Sequence, residues 1–310
     1  MKLLNLIKKH FRNVNLLDWY LENYYREQIR NKYTSIFCDL NPSCLSEKKY
    51  IKNELIISLT TYGARAHTVY LTITSLIHQT IKANRIVLWL SESEFNESNI
   101  PITLSKLKEK GLDIRFCPDI KSFKKIIPSI KAFPNADIIT VDDDIIYPAD
   151  FVERMVSSHI ENAGKVCFTR GCNITLDDNG YVLPYKQWKK ATNVNRTMMN
   201  IPTGVGGVFY PSGCFYKDVL REDLFMELCP KADDLWLRVM CLLNKVDTYY
   251  INCYENFAHY FIEIENSQIT SLNSTNNADG TVTNDTQFKN LIDYFQLEQY
   301  IKELEHNRHL

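Results

Sequence analysis

Three consecutive carboxylates, Asp142, Asp143 and Asp144, interrupt two apolar runs in ADIITVDDDIIYP. A second acidic pair, Asp233 and Asp234, opens the apolar run LWLRVMCLL. Adjacent acids repel one another and are costly to take out of water unless something positive sits beside them. A single Asp after a strand would be an ordinary turn or cap residue. Three in a row, followed at once by the apolar IIYP, fit a hard divalent cation better, because Mg2+ and Mn2+ seek carboxylate oxygens and leave room for substrate phosphates. A structural Ca2+ loop would spread its ligands over alternate positions, which the contiguous triplet does not. Taken alone, Asp233 and Asp234 read as an N-cap and helix-dipole acid.

The triplet ends a short β-branched run, so it needs a strand to carry it. From Glu54 onward the pattern alternates. LIISLTTY, RIVLWLS, DIRFCPD and ADIITVDDD read as strands, separated by helical patterns in TVYLTITSLIHQT, Ile102 to Lys110, and SFKKIIPSIKAF with Pro128 inside it. Such alternation predicts a parallel sheet with helices on both faces, and ligands bind beyond the carboxyl ends of its strands. Each strand places polar groups there: Thr60, Thr61 and Tyr62; Ser91 and Glu92; Asp119; then the aspartates. Later, KVCFTRGCNITL, GGVFYPSGCF and DTYYINCY read as strands, DDLWLRVMCLLNK as a helix, and TQFKNLIDYFQLEQYIKELEH as one closing helix. The Asn-rich SQITSLNSTNNADGTVTND between them reads as a loop.

The chain has 310 residues, 45% of them hydrophobic and 24% charged, the composition of a folded protein with a sizeable core. A formal net charge of −1 argues against a nucleic-acid partner. Nine cysteines without a CxxC pair argue against a zinc site and a disulfide framework, and favour a reducing, cytoplasmic setting. Residues 1–33 read as a helix with Leu3, Leu4, Ile7 and Phe11 on one side and Lys2, Lys8, Lys9 and Arg12 nearby. It is expected either to pack on the main domain or to make weak, salt-sensitive contact with the inner membrane face.

ITVDDDIIYP at the end of a fourth strand resembles the DXD motif of nucleotide-sugar glycosyltransferases of the GT-A fold. IISLTTYGARAHTVYLTITSLIHQT resembles the opening strand, nucleotide loop and first helix of the family 2-like enzymes of bacterial surface polysaccharide synthesis, and RIVLWLSESEF their second strand. DIKSFKKIIP is similar to their nucleotide-proximal Asp-to-Lys segment, GVGGVFYPSG to the acceptor loop, and ADDLWLRVM to the acidic helix start near the acceptor. The resemblance covers roughly residues 54–260. It implies an α/β, GT-A-like domain over 51–260 with a mostly parallel sheet flanked by helices, a helical extension over 1–50, and the Asn-rich loop and C-terminal helix over 261–310.

The implied activity is metal-dependent transfer of a sugar, of hexosyltransferase type, from a nucleotide-diphosphate donor such as a UDP-sugar. The implied acceptor is a glycan or lipid-linked glycan of a capsule or lipooligosaccharide. A metal-dependent sugar nucleotidyltransferase is the alternative. By the resemblance, Asp142 or Asp143 holds the donor ribose, and Mn2+ or Mg2+ sits on Asp144 with Asp142. Thr60, Thr61, Tyr62 and Arg65 line the base and phosphates, Tyr62 by stacking and Arg65 by bidentate pairing; a plain turn at Gly63 is the other reading. Asp119 and Lys125 contact base and phosphate, or belong to a solvated helix. Asp234, or else Asp233, takes the acceptor proton. Here the family's Glu-Asp is Asp-Asp, which leaves the choice open. Gly206, Gly207 and Trp236 approach the acceptor, unless the glycines form a hairpin and the tryptophan packs in the core. His259 is a late metal ligand or a core histidine.

Overall fold

The computed structural model describes residues 16–39, 45–194, 197–252, 254, 257–264 and 282–306. The chain divides into two compact units, Met1–Leu40 and Asn41–Leu310. The first contains helix α1 (Leu16–Cys38), which leaves Tyr20, Leu21 and Tyr24 exposed. Residues Leu3 to Phe11, on which the membrane reading rests, lie outside the described residues, as does most of the Asn-rich segment. No described helix is long and apolar enough to cross a membrane.

The second unit is built on a seven-stranded, mostly parallel sheet. Four strands follow the expected alternation: β1 (Leu55–Thr60), β2 (Arg85–Ser91), β3 (Asp113–Cys117) and β4 (Asp137–Thr140). Their apolar runs are buried nearly throughout, as strands covered on both faces must be. In space they lie in the order β4-β1-β2-β3, so the chain moves outward from β1 and then returns to its other side. A crevice opens at such a reversal, beyond the ends of β1 and β4. β1 and β4 pair up to Ser58 and Thr140, and the chains part beyond that point.

Helix α2 (Tyr70–Ile77) packs behind the triplet, and α3 (Ile102–Glu109) links β2 to β3. Pro128 does not interrupt a helix. It sits in the first turn of α4 (Ile127–Ala132), where its missing N–H costs nothing, and Lys121–Lys125 forms a separate 3-10 turn before it.

The remaining sheet is not continuous alternation. β5 (Ile145–Ile146) follows the triplet directly, and α5 (Phe151–Glu161) comes after it. KVCFTRGCNITL, expected as one strand, breaks at Thr169–Arg170 into β6 (Val166–Phe168) in the main sheet and β7 (Gly171–Asn173) in a three-stranded sheet with β8 (Lys189–Lys190) and β9 (Asn200–Pro202). β10 (Val208–Tyr210) runs antiparallel between β4 and β6. Helices α6 (Glu222–Leu228) and α7 (Asp233–Leu243) lead to β11 (Thr248–Tyr250), and α8 (Phe257–Tyr260) to β12 (Ile262–Glu263), which pairs with β5.

The closing segment is two helices, α9 (Asn284–Phe295) and α10 (Glu298–His306), separated at Gln296 with φ of 55°. Phe288, Leu291, Leu297 and Ile301 from it join the core that also holds Trp236 and Phe225, so residues 284–306 complete the domain instead of trailing from it.

Candidate active site

The crevice beside β1 and β4 gathers two cations and five carboxylates. Asp143, nearly fully buried, accepts from Thr61 Oγ1 at 2.6 Å and from Arg65 Nη1 at 2.7 Å. Arg65 Nη2 reaches Asp144 Oδ2 at 3.2 Å, so one guanidinium spans two neighbouring acids. The second cation is Lys125, from the 3-10 turn after β3. Its Nζ lies 2.8 Å from Asp233 Oδ2 and 3.4 Å from Asp142 Oδ1. Asp234 completes the group, accepting from Gly204 N at 3.2 Å.

The triplet is held from its backbone. Thr72 Oγ1 of α2 donates to the Asp143 carbonyl at 2.9 Å, Asp142 N donates to the buried Tyr147 hydroxyl at 2.9 Å, and Ile264 N donates to the Asp144 carbonyl at 2.8 Å. Tyr147 is in turn fixed through its own N–H to Ser75 Oγ. Each side chain is therefore launched from backbone that α2, β5 and the segment after β12 hold in place.

Burial and charge act against each other here. Burial raises the Asp143 carboxyl above its usual range, opposed by Arg65 and Thr61. Burial would lower Lys125, but Asp233, Asp142 and Asp234 outweigh it and hold the ammonium well above its ordinary value. Asp234 is pushed up to about 7, by burial first, with Asp233 and Asp142 adding to the shift while Lys125 and the Gly204 N–H oppose it. That places its carboxyl to exchange a proton near neutral pH.

Five carboxylates against two cations leave three formal negative charges, a donor set that suits a divalent ion. Yet among the described residues no three His, Cys, Asp or Glu side chains are grouped to hold a metal, and Asp142, Asp144 and His259 are not so grouped. His259 lies exposed on α8. The positive groups that do meet the triplet are Arg65 and Lys125.

Of the other sequence-predicted residues, Tyr62 borders the cluster beside Arg65, and the rest make contacts outside it. The Thr60 hydroxyl is committed to the Trp89 carbonyl at 2.8 Å, inside the sheet. Tyr62 is exposed, with the Arg65 guanidinium 5.2 Å from its ring centroid. Asp119 ends β3, two strands away from β1, and there binds Lys124 and the Lys121 N–H. Trp236 is fully buried, donates its Nε1 to the Val219 carbonyl at 3.1 Å and packs against Phe225, leaving no face for a sugar.

Gly206 and Gly207 turn toward the interior. A Cβ on Gly206 would lie 2.3 Å from Thr169 Oγ1, and one on Gly207, whose φ is 78°, would lie 2.4 Å from Phe151 Cζ. The glycine that faces the crevice is Gly204. A Cβ there would meet Lys125 Nζ at 2.7 Å and Asp142 Oδ1 at 2.9 Å. The spacing in PTGVGG could not separate these three, because only the path of the loop decides which Cα faces which way. Tyr147 was missed for the same reason; its IIYP context reads as plain core. A separate pocket of about 540 Å3 lies between α5 and β11, lined by Glu153, Arg154 and Tyr249, and contains none of these groups.

No family model matches the chain, and no curated protein matches it by sequence. Among solved structures, the crystal structure of 4-diphosphocytidyl-2C-methyl-D-erythritol synthase is similar, with a TM-score of 0.42 and 8% identity over 71% of this chain and 96% of that one. A likeness that distant assigns no activity. The resemblance to nucleotide-sugar glycosyltransferases accordingly stays with the quoted motifs.

Proposed function

We propose that this chain is a transferase acting on a nucleotide-activated sugar, moving the sugar from a nucleoside diphosphate onto an acceptor hydroxyl. The observation that carries the reading is Asp234. A half-buried carboxyl with a pKa of about 7, fixed by the Gly204 N–H beside the crevice at the end of the acid triplet, is poised to take a proton from a hydroxyl near neutral pH. Lys125 ties Asp233, the neighbour of that base, to Asp142 through one ammonium, so the donor side and the acceptor side of the crevice share a cation.

Arg65 is the residue to meet the donor phosphates, since a guanidinium pairs with phosphate as readily as with the two carboxylates it now spans. Thr61 keeps Asp143 in place when it does. Asp142 and Asp144 are the residues that would hold Mn2+ or Mg2+, with the excess negative charge of the cluster favouring such an ion. When bound, the ion would neutralise the charge that builds on the departing diphosphate. The acceptor hydroxyl then gives its proton to Asp234 as its oxygen bonds to the sugar carbon, and the bond from that carbon to the diphosphate oxygen breaks.

The second reading is nucleotidyl transfer onto a sugar phosphate. It is favoured by the two cations at one crevice, which suit a triphosphate. Product identity separates the two. With a UDP-sugar panel and mixed glycan acceptors, the first reading expects release of UDP. With nucleoside triphosphates and sugar 1-phosphates, the second expects pyrophosphate. Release of neither, under both regimes and with Mn2+ or Mg2+ present, would overturn the assignment to this class. Asp144→Asn addresses the ion: it should abolish Mn2+-dependent binding of nucleoside diphosphate in calorimetry while leaving thermal unfolding near wild type.

A further inference from the structure

Arg170 is an exposed guanidinium at the break between β6 and β7, and it is built in firmly. Its carbonyl accepts from the Thr203 N–H at 2.9 Å. Gly206 comes so close that a Cβ there would lie 3.0 Å from Arg170 Cβ. The loop that anchors Arg170 is thus the one whose Gly204 faces Asp142, Lys125 and Asp234. The guanidinium carbon stands 5.4 Å from the centroid of the Phe257 ring on α8, within cation–π range. Among the described residues Arg170 has no carboxylate partner, whereas Arg65 and Lys125 are each held by two.

Near Arg170 and Asp234 lies a small polar pair. These are Tyr185, whose hydroxyl burial raises, and Cys172, whose thiol burial also raises. Both residues feel the charge of Asp234 and that of Arg170. The adjacent N–H groups of Thr203 and Gly204 donate to the Arg170 carbonyl and to Asp234, so one wall, built on that loop, carries both the candidate base and the uncommitted guanidinium. The nucleotide half of the crevice, by contrast, is lined by Arg65 and the acid triplet.

We infer that this wall is an acceptor subsite for an anionic acceptor, with a carboxylate or phosphate on Arg170 and the reacting hydroxyl at Asp234. A planar guanidinium without its own carboxylate, over an aromatic ring, is suited to a two-oxygen anion. Neutral sugars would gain little from it. The inference rests on the transfer reading for the identity of the reacting hydroxyl, but not for the binding of the anion.

The test has a binding arm and a kinetic arm, both on the full chain. Isothermal titration without donor uses methyl β-glucuronide, methyl glucoside 6-phosphate and neutral methyl β-glucoside as probes. The expected result is salt-sensitive binding of one or both anionic probes, weakened roughly ten- to a hundred-fold by Arg170→Ala and partly restored in Arg170→Lys. Lys190→Ala is the control: Lys190 sits opposite Cys172 in the β7–β8 pairing but over Tyr250, and should change nothing.

Which probe binds distinguishes carboxylate from phosphate as the source of the charge. Equal affinity for neutral and anionic probes, equal loss in Lys190→Ala, or unchanged binding in Arg170→Ala would each overturn the proposal. In the kinetic arm Arg170→Ala should raise KM for anionic acceptors by a similar factor, with KM for neutral acceptors and the rate of donor hydrolysis unchanged. Weakened UDP binding in Arg170→Ala would place Arg170 on the donor instead. Should the protein turn over no sugar donor, the transfer reading fails while the titration still decides the anion site.

Discussion

Arg65 and Lys125 both neutralise the acid triplet, but they do so in different ways. Arg65 comes from the turn directly after β1 and pairs with Asp143 and Asp144, which follow the neighbouring strand β4. That cluster is local to the parallel part of the sheet. Lys125 joins Asp142 to Asp233, bringing the end of β4 against the start of α7, some ninety positions later in the chain. The first cation organises one side of the crevice; the second holds its two sides together. A fully committed guanidinium and a shared ammonium therefore predict different consequences when removed.

The largest effect is expected from Asp234, the neighbour of the Asp233 that Lys125 holds. Asp234→Asn should lower turnover by roughly 10²- to 10⁴-fold with donor affinity near normal, because only the proton acceptor is lost. In the wild type, the rate should rise with pH through about 7, where Asp234 loses its proton. Stability should move the opposite way. A carboxyl raised from 3.8 to about 7 binds a proton more tightly folded than unfolded, so its contribution is lost as pH climbs from 3.8 to about 7 and is flat above. Thermal melts of Asp234→Asn should lack that slope. Near-normal turnover in Asp234→Asn and in Asp233→Asn would reduce the pair to a helix cap.

Next comes Lys125→Met. It leaves Asp142, Asp233 and Asp234 without their shared cation in a buried place, at an expected cost of about 3–5 kcal/mol in denaturant unfolding. Arg65→Met should cost less, about 1–3 kcal/mol, since Thr61 still donates to Asp143. A reversed order would mean that the two sides of the crevice are held by something other than Lys125.

Glycine substitutions sharpen the same contrast at smaller scale. Gly206→Ala must displace Thr169 and Arg170 backbone, so it should destabilise by about 1–3 kcal/mol. Gly204→Ala meets the end of the flexible Lys125 side chain and should leave stability within about 1 kcal/mol while disturbing donor or acceptor kinetics. Smallest in kinetic effect is Trp236→Phe, which loses a buried hydrogen bond and should lower stability by about 1–2 kcal/mol with acceptor KM unchanged. A raised KM there would return Trp236 to the acceptor.

Much of the fold is legible along the chain because its signals are local. RIVLWLS is a strand at the residues expected, Arg85–Ser91, since β-branched and apolar residues in an unbroken run have few other uses. The alternation of such runs with helical patterns implied the parallel sheet, and the acid triplet already demanded a positive partner. Pairing in space is not local. That Arg65 and Lys125 stand at the triplet depends on β1 lying beside β4 and on α7 returning to Lys125. The break at Thr169–Arg170, Gly204 as the glycine at the crevice, and the burial of Trp236 follow from chain paths set by the whole core. Residue types fixed which charges this protein must accommodate; tertiary packing chose their partners, because a charge taken out of water is stabilised only by what the fold brings within a few ångströms of it.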